Sequence, residues 1–391
     1  MATTRIGGPL VGPAPLWAET LEPAERAALD PGTPDELDRR PDVLVVGGGV
    51  IGLATAVFCR RGGLGRVLLV EAGRLAGGAS GGAAGMLSPE LHRLTDPPAF
   101  VALARASLSL YRQLDQEWRL APALRWTPLL LLPPDGPPAG LRPWRGVELL
   151  DADRVRELVP ELAPQPAALL APDQASVHPL RLAAALARRA GTVATGVTMT
   201  DAEVTGGRIV RVRTTAGDLH PGAVVFATGL APTPLTSPPQ RLVKGHLVAT
   251  EPVGFRLPCA VHGPGLGVRS LAGGGLLAGG TREEGDASPQ VRAEVVESIR
   301  RRLGELLPAA RAAPLRHRWC CFRPATADGQ PLLDRVPGLD NAWLSGGHDG
   351  TGLLLAPAAG RALAAWIATG TAPAEVGGVR LARFGGPSPL L

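Results

Sequence analysis

The order of apolar and polar residues along the chain predicts an α/β fold. Short apolar runs with the length of buried strands recur between longer segments with helical spacing, a pattern typical of a parallel sheet covered by helices. The predicted strands lie at 42–46, 66–70, 192–200, 223–229, 316–322 and 342–345, and the predicted helices at 98–120, 151–158, 179–190, 289–307 and 352–369. A hairpin is predicted from 203–213 and 215–220, with its turn at 214–217.

Strand-rich segments at about 125–150 and 241–282 interrupt this alternation, so we predict two domains that are both discontinuous in sequence. The predicted Rossmann-like domain comprises 41–91, 151–240 and 319–375, and the predicted substrate domain, mainly an antiparallel sheet, comprises 92–150 and 241–318. Residues 1–40 are rich in proline, glycine and charge. We expect them to form an extension outside the core fold, partly ordered at best, with a short helix near 22–29.

The first strand and helix carry a glycine pattern that indicates a dinucleotide site. In this pattern Gly47 permits a tight turn, Gly49 leaves room for a pyrophosphate, and Gly52 allows the helix to pack closely on the strand. The N-terminus of such a helix attracts phosphate groups. Glu71 ends the second strand, where a carboxylate accepts hydrogen bonds from ribose hydroxyls and repels a 2′-phosphate. The pattern therefore favours FAD or NAD over NADP.

Composition narrows the classes of function further. The net charge is +5, but the 40 basic residues, of which one is lysine, are scattered, so we expect no nucleic-acid partner. Neither a signal peptide nor an uninterrupted apolar run long enough for a membrane span is evident, and we expect a cytoplasmic protein. The four cysteines have no zinc spacing, so we expect reduced thiols and no metal centre. They are Cys59, Cys259, Cys320 and Cys321.

The motifs from residue 42 to about 371 resemble those of the FAD-dependent amine oxidase family, which includes D-amino-acid, sarcosine and glycine oxidases. The resemblance is greatest to the bacterial glycine oxidases. The segments that carry it are VVGGGVIGLATA, GASGGAAGMLSPE, VHPLRLAAAL, VVFATGLAP, LVKGH, FRPATADGQPLLD and GGHDGTGLLLAPAAG.

This resemblance implies that FAD is the cofactor and that a C–N bond of a small amine or amino acid is oxidised to an imine. Electrons would usually pass to O2, and a homo-oligomer is possible for such an enzyme. The implied FAD contacts are Gly47, Gly49, Val50, Ile51, Gly52, Glu71, Ala79, Ser80, Ala84, Gly85, Met86, Thr228, Gly229, Cys321, Gly347, Asp349, Gly350, Thr351, Gly352 and Leu353.

At the reactive end, the resemblance assigns Arg323 to the substrate carboxylate, which a guanidinium holds through two parallel hydrogen bonds. The alternative is a structural ion pair of Arg323 with Asp328 or Asp334. His348 lies in a turn that faces the pyrimidine ring of the flavin in this family. It either belongs to the cofactor surroundings or only braces that turn.

Two departures from the glycine oxidase pattern affect the substrate side. Gly350 stands where those enzymes usually carry an arginine, and the strand near 267–271 lacks their usual tyrosine. Arg269 is a candidate to replace the tyrosine, or Arg323 acts alone. Lys244, the single lysine, is a further candidate because its strand runs near the flavin in this family.

Cys321 matches the position of the cysteine that is joined covalently to the flavin in monomeric sarcosine oxidases, whereas glycine oxidases bind FAD non-covalently. A buried cysteine that acts as a small apolar residue is the alternative. Neighbouring strand positions face opposite sides, so Cys320 and Cys321 cannot both reach the ring.

Two other functions remain open at this point. The first is a dehydrogenase of the same fold that passes electrons to a quinone or a partner protein. The second is a flavoprotein that acts on a substrate held by another protein, with residues 1–40 as the docking element.

Overall fold

A computed structural model describes residues 14–93, 95–133, 136, 144–235 and 237–385. Its helices are α1 (Pro23–Leu29), α2 (Val50–Arg61), α3 (Ala79–Gly82), α4 (Pro98–Trp118), α5 (Ala152–Leu158), α6 (Pro179–Ala187), α7 (Ala293–Leu306) and α8 (Gly352–Thr369).

The strands fall into two large sheets and two small ones. They are β1 (Val43–Val46), β2 (Val67–Glu71), β3 (Met86–Leu87), β4 (Leu124–Trp126), β5 (Leu129–Leu131), β6 (Glu148–Asp151), β7 (Ala167–Ala171), β8 (Ala175–Val177), β9 (Thr192–Thr195), β10 (Met199–Thr205), β11 (Arg208–Thr214), β12 (Gly217–Leu219), β13 (Ala223–Phe226), β14 (Gln240–Thr250), β15 (Ala260–Gly263), β16 (Leu266–Ser270), β17 (Leu276–Gly279), β18 (Glu283–Glu284), β19 (Leu315–Thr326), β20 (Leu332–Arg335) and β21 (Ala342–Gly346).

A six-stranded sheet with the order β20-β21-β13-β1-β2-β9 forms the first layer. All its neighbouring pairs are parallel except β20 with β21. The four residues of β1 are buried, as expected for a parallel strand covered on both faces. α2 follows β1 and α8 follows β21, so both helices begin at the carboxyl edge of the sheet. This is the edge at which α/β folds bind ligands.

A nine-stranded, mainly antiparallel sheet forms the second large layer. Its order is β18-β14-β17-β16-β15-β5-β7-β6, and the long strand β19 pairs with β14 from Leu315 to Thr326. α5 and α7 contribute Val155, Ile299 and Leu303 to a core that this sheet shares.

The sheet membership disagrees with two predicted domain boundaries. Residues 319–326 were assigned to the Rossmann-like domain, yet they belong to β19, which pairs with β14 of the large sheet. Residues 152–171 were assigned to the Rossmann-like domain, yet α5 packs in the core of the large sheet and β7 is one of its strands. The boundary was wrong because β7 pairs with β5, which lies about 35 residues earlier in the chain. Periodicity identifies a strand but does not identify its partner.

The predicted hairpin at 203–213 is also corrected. Gly206 and Gly207 both have positive φ (54° and 74°), and they form a turn inside the range predicted as one strand. β10 and β11 therefore pair around these glycines, and β12 follows the predicted turn at Thr214–Gly217. The strand predicted at 192–200 is divided in the same way by Gly196, whose φ is 75°.

The prediction that the N-terminal extension lies outside the core is wrong for the described part. Leu16, Trp17, Leu21 and Leu29 are buried in the same core as α2 and α8. These four apolar side chains lie among charged and proline residues, so the average composition of the segment did not reveal them. Residues 1–13 of the extension and 134–135 and 137–143 of the proline-rich segment lie outside the described residues.

Within the described residues, the segment Asp349–Thr369 is long and apolar enough to cross a membrane. Two thirds of its most apolar part (67%) is buried inside the protein. It contains α8, the central helix that packs on α2 and α4.

Candidate active site

The glycine turn between β1 and α2 is built as the sequence predicts. A Cβ on Gly47, whose φ is +110°, would lie 2.5 Å from the Ala227 carbonyl oxygen. A Cβ on Gly52 would lie 1.9 Å from the Gly47 carbonyl oxygen. At Gly49 the nearest atom would be Ser80 Oγ at 3.4 Å, so no protein atom enforces glycine there. A ligand that approaches the backbone at Gly49 accounts for this residue.

The N-terminus of α2 is prepared to receive an anion. Its N-cap, Gly49, supplies no side-chain hydrogen bond. Val50 N donates to Ser80 Oγ at 3.0 Å, which connects the helix to the loop of small residues. Glu71 accepts hydrogen bonds from Gly48 N (2.7 Å) and Gly73 N (2.8 Å), one on each oxygen. Each of these oxygens keeps accepting capacity for a ribose hydroxyl, so the residues fit an adenine dinucleotide.

Three side chains hold the loop of small residues that follows β2. Trp319 Nε1 donates to the Gly82 carbonyl at 2.9 Å and Trp17 Nε1 donates to the Ala83 carbonyl at 3.0 Å. Arg269 donates to the Ala84 carbonyl from Nε (3.1 Å) and Nη2 (2.9 Å). Three consecutive carbonyls are therefore held by side-chain donors. This rigid backbone suits a surface on which a flat cofactor rests.

Gln240 joins two other segments predicted to contact the cofactor. Its Nε2 donates to the Gly229 carbonyl, and its Oε1 accepts from Gly347 N at 2.8 Å. Thr228 is held separately, since its Oγ1 donates to the Ala231 carbonyl at 2.7 Å. Sequence analysis missed Gln240, because an amide at the start of a strand carries no motif.

Arg323 lies next to the turn that precedes α8. A Cβ on Gly350 would lie 3.7 Å from Arg323 Nε, and a Cβ on Gly245 would lie 2.3 Å from its Nη2. Its Nη1 donates to the Thr281 carbonyl at 2.8 Å. The alternative ion pairs are not formed, because Asp328 pairs with Arg383 and Asp334 with Arg380. Among the residues that the structure describes, no carboxylate pairs with the half-buried Arg323.

His348 is buried at the start of the same turn. Its Nε2 lies 3.0 Å from Ser345 Oγ, and its Nδ1 has no protein partner among the described residues. Burial lowers the pKa of His348 to about 3, so the imidazole is neutral at physiological pH. A neutral ring that contacts Ser345 braces the turn, and its buried Nδ1 has no hydrogen-bond partner among the described residues.

Asp349 adopts a left-handed conformation (φ 45°) and pairs with Arg282, whose Nη1 lies 2.6 Å from Oδ2. Oδ1 of Asp349 is buried without a partner among the described residues. Arg282 therefore brings a guanidinium to the turn from the loop after β17. The sequence shows an arginine missing at Gly350, but it does not show that another arginine approaches from the sheet.

The structure does not bring Lys244 to this site. Lys244 lies opposite Phe322 in the β14–β19 pair, so it faces the other side of the sheet from Arg323 and Cys321. Its fully buried Nζ donates to Asp286 Oδ2 and the Gln290 carbonyl, both at 2.8 Å. The predicted catalytic role is wrong because the alternation of side chains along β14 points Lys244 into a structural ion pair.

Arg269 is also separated from Arg323. The register places Arg269 opposite Leu277, Leu277 opposite Ala249, and Ala249 opposite His317. His317 lies six residues before Arg323 on β19, which corresponds to roughly 20 Å along the strand. Arg269 therefore does not replace the missing tyrosine beside Arg323.

Cys321 and Cys320 face opposite sides of β19, as predicted. A Cβ on Gly82 would lie 2.5 Å from Cys321 Cβ, so this cysteine packs directly against the loop of small residues. Cys320 Sγ instead donates to the Pro289 carbonyl at 3.4 Å. Burial raises the pKa of the Cys321 thiol.

Comparison with known proteins agrees with this arrangement. Residues 42–366 match the family model described as FAD dependent oxidoreductase. The chain belongs to this family. It is 33% identical over 343 residues to the glycine oxidase of Pseudomonas aeruginosa, and the match covers 82% of this chain and 93% of that enzyme. The predicted family and fold class, the FAD requirement and flavin-dependent oxidation at a C–N bond are confirmed by these relationships.

Two solved structures of other enzymes have the same fold. The crystal structure of glycine oxidase from Geobacillus kaustophilus has a TM-score of 0.76 at 28% identity and covers 88% of this chain and 98% of its own. L-proline dehydrogenase from P. horikoshii has a TM-score of 0.79 at 20% identity, with 89% and 98% coverage, and this likeness concerns the fold alone.

Two further features separate this flavoenzyme from the expected pattern. Tyr111 lies in α4 and donates from its hydroxyl to the Leu353 carbonyl at 2.5 Å, so it supports the first turn of α8. Gly267 stands in the strand where a tyrosine was expected, and a Cβ there would lie 3.5 Å from Met86 Sδ. In the described part of the chain, no group of three or more His, Cys, Asp or Glu residues is placed to hold a metal ion.

Proposed function

We propose that this flavoenzyme oxidises a small α-amino acid, or its N-substituted form, and that Arg323 binds the substrate carboxylate. The observation that carries the proposal is a half-buried guanidinium without a carboxylate partner among the described residues, beside the turn at Gly350. Relatives named glycine oxidase, which match over most of both chains, support the same class of substrate.

The geometry gives each residue a separate task. Because the Thr281 carbonyl accepts from Nη1 of Arg323, the guanidinium plane is fixed before a substrate arrives. Its remaining N–H groups are free to hold a carboxylate. Neutral His348 and the Asp349–Arg282 pair define the turn beside it. FAD, when bound, supplies the two-electron acceptor of the oxidation.

Replacing Arg323 by leucine tests the carboxylate role. We expect Arg323→Leu to keep its FAD but to lose roughly 100-fold or more in kcat/KM for amino acids, mainly through KM. Two charge-assisted hydrogen bonds of about 1.5–3 kcal/mol each are removed. Steady-state kinetics on glycine, sarcosine and D-amino acids measures the effect.

Two matched variants accompany this test. Arg323→Lys keeps the charge but not the planar fork, so it should recover part of the loss. Arg318→Leu removes an exposed arginine from the same strand and should leave KM unchanged. A wild-type KM in Arg323→Leu would contradict the proposed substrate role.

We also propose O2 as the electron acceptor, because the relatives that are 31–33% identical over most of both chains are named glycine oxidase. Substrate turnover under air should then release one hydrogen peroxide per imine formed. If turnover requires an added dye or quinone and no peroxide is produced, the enzyme is a dehydrogenase instead.

A further inference from the structure

A cavity of about 730 Å³ lies between the N-terminal segment, the start of α6 and the large sheet. Leu16, Trp17 and Thr20 form one wall, and these residues precede the part of the chain that matches the family. Arg269 also lines the cavity, with its guanidinium carbon 5.2 Å from the Trp17 ring centroid, and it lies roughly 20 Å along the strands from the level of Arg323. The cavity is therefore separate from the proposed carboxylate site.

The lining of this cavity is cationic. Among the residues that the structure describes, it contains five arginines and no aspartate or glutamate: Arg125, Arg181, Arg256, Arg269 and Arg316. Arg181 pairs with Glu25 and Arg316 pairs with Glu19. The other three have no ion pair within the described residues. Three positive charges thus face one concave surface without compensation, and such a surface attracts anions.

Arg269 gives the cavity a buried donor. Only 8% of this residue is exposed, and Nε and Nη2 donate to the carbonyls of Ala84 and Val177. Nη1 donates to no described residue, and it is not among the fully buried polar atoms that lack a partner. Arg269 lines the cavity, so its guanidinium borders this space beside the Trp17 ring. Burial, together with Arg125, lowers the pKa of Arg269 to about 10, so it stays charged at neutral pH.

The remaining walls are largely apolar and aromatic. Trp17 and Trp126 line the cavity together with Leu257 and Leu271. His178 also lines it, and burial lowers the pKa of this histidine to about 4, so it adds no charge at neutral pH. A ligand that suits both parts of the lining has one anionic end and a flat apolar body.

We propose that this cavity is a second binding site, which takes a small organic carboxylate with a flat apolar body. The carboxylate lies against the guanidinium of Arg269 and between the exposed Arg125 and Arg256 at the rim, and the apolar body lies against the half-buried Trp126 and Leu271. The site depends on the N-terminal segment, so the family fold alone does not contain it.

Calorimetric titration of the FAD-loaded enzyme with phenylacetate tests the proposal. We expect saturable binding that weakens as salt is added, because the attraction is partly between exposed charges. The double variant Arg125→Gln with Arg256→Gln should bind about tenfold more weakly, since each exposed charge contributes modestly. Arg145→Gln with Arg188→Gln removes the same charge from exposed positions outside the lining and should bind like the wild type.

Two further variants identify where the probe binds. Gly273 lines the cavity, and a Cβ there meets no atom within 4 Å, so Gly273→Trp should fold and block the space. Arg323→Leu removes any carboxylate binding at the substrate site and should keep the salt-sensitive binding that the Arg125/Arg256 double variant weakens. Loss of binding in Arg323→Leu with normal binding in the other variants would place the probe at the substrate site and overturn the proposal. Absence of saturable heat, or equal binding by the wild type and the Arg125/Arg256 double variant, would overturn it too. None of these outcomes depends on which substrate the enzyme oxidises.

Discussion

The surroundings of Cys321 bear on whether the flavin is bound covalently or non-covalently. Its side chain packs against Gly82, in the loop predicted to contact the cofactor, and burial raises the pKa of its thiol. A protonated thiol is a poor nucleophile. We therefore expect FAD to be held non-covalently. After acid precipitation the yellow colour should remain in the supernatant, and Cys321→Ala should retain FAD. Colour in the pellet of the wild type but not of Cys321→Ala would contradict this.

The residues of the glycine turn could be predicted from sequence because their spacing is a known motif, although Gly47 itself is confined by Ala227, 180 residues later. Gly47 and Gly52 each avoid a backbone atom within a few residues or on the adjoining strand. Lys244 and Arg269 were assigned incorrectly because their surroundings depend on register and on distant carbonyls. Sequence alone identified the strand of Lys244, but not its position opposite Phe322. The position of Arg323 beside Gly350 was implied by resemblance, and its lack of an ion pair emerged only from the structure.

At the scale of elements, the contact between α2 and α8 fixes the sheet edge at which both helices begin. Gly360 lies in α8 against the backbone of Ala54 in α2, where a Cβ would be 2.7 Å from the Ala54 carbonyl carbon. Backbone atoms cannot rotate away as the end of a side chain can, so a methyl group at Gly360 would force the two helices apart.

Substituting this glycine tests the contact. Alanine favours a helix over glycine by about 1 kcal/mol, but overpacking typically costs about 1–3 kcal/mol. We expect the cost of the steric overlap to exceed the gain in helix propensity. Gly360→Ala should therefore lower the Tm by several degrees and weaken FAD retention. Gly377→Ala, where a Cβ meets nothing within 4 Å, is the control. An unchanged Tm in Gly360→Ala would show that the helices accommodate the methyl group.

The order of helices and parallel strands was predictable because the apolar runs of β1, β2, β13 and β21 are short and separated by helical segments. The composition of the large sheet was not predictable in the same way. β5 pairs with β7 and β15, and β14 pairs with β19, across separations of about 35 to 130 residues. These pairings depend on loop closure and on packing of whole layers, which a local pattern does not contain.

At the scale of the whole molecule, buried neutral histidines make the fold sensitive to acid. The pKa of His178 is lowered from its ordinary 6.5 to about 4, mainly by burial, and that of His348 to about 3. Below about pH 6.5 the unfolded chain binds protons that the folded chain does not. The free energy of unfolding therefore falls as the pH falls from about 6.5 towards 4.

His178→Asn tests this dependence. His178 is the N-cap of α6 and accepts from Arg181 N, and asparagine can also cap a helix but does not titrate. At pH 8 the variant should be less stable, because it loses the edge contact with Trp17. Linkage predicts that the difference in free energy of unfolding between the wild type and this variant is about 1–2 kcal/mol smaller at pH 5 than at pH 8. Chemical denaturation at both pH values measures it, and a gap of constant size would contradict the assignment.

The position of Trp17 has a practical consequence for anyone who trims this protein. Its indole lies between Trp319 of the large sheet and His178, the N-cap of α6. Nearby, Glu19 pairs with Arg316, which is on the same strand as Trp319. A recombinant fragment that begins at the family boundary, residue 42, would lack Trp17 and its neighbours. It would expose tryptophan and leucine side chains on both layers. Expression boundaries should therefore be drawn before Leu16, even though that region carries none of the recognisable motifs.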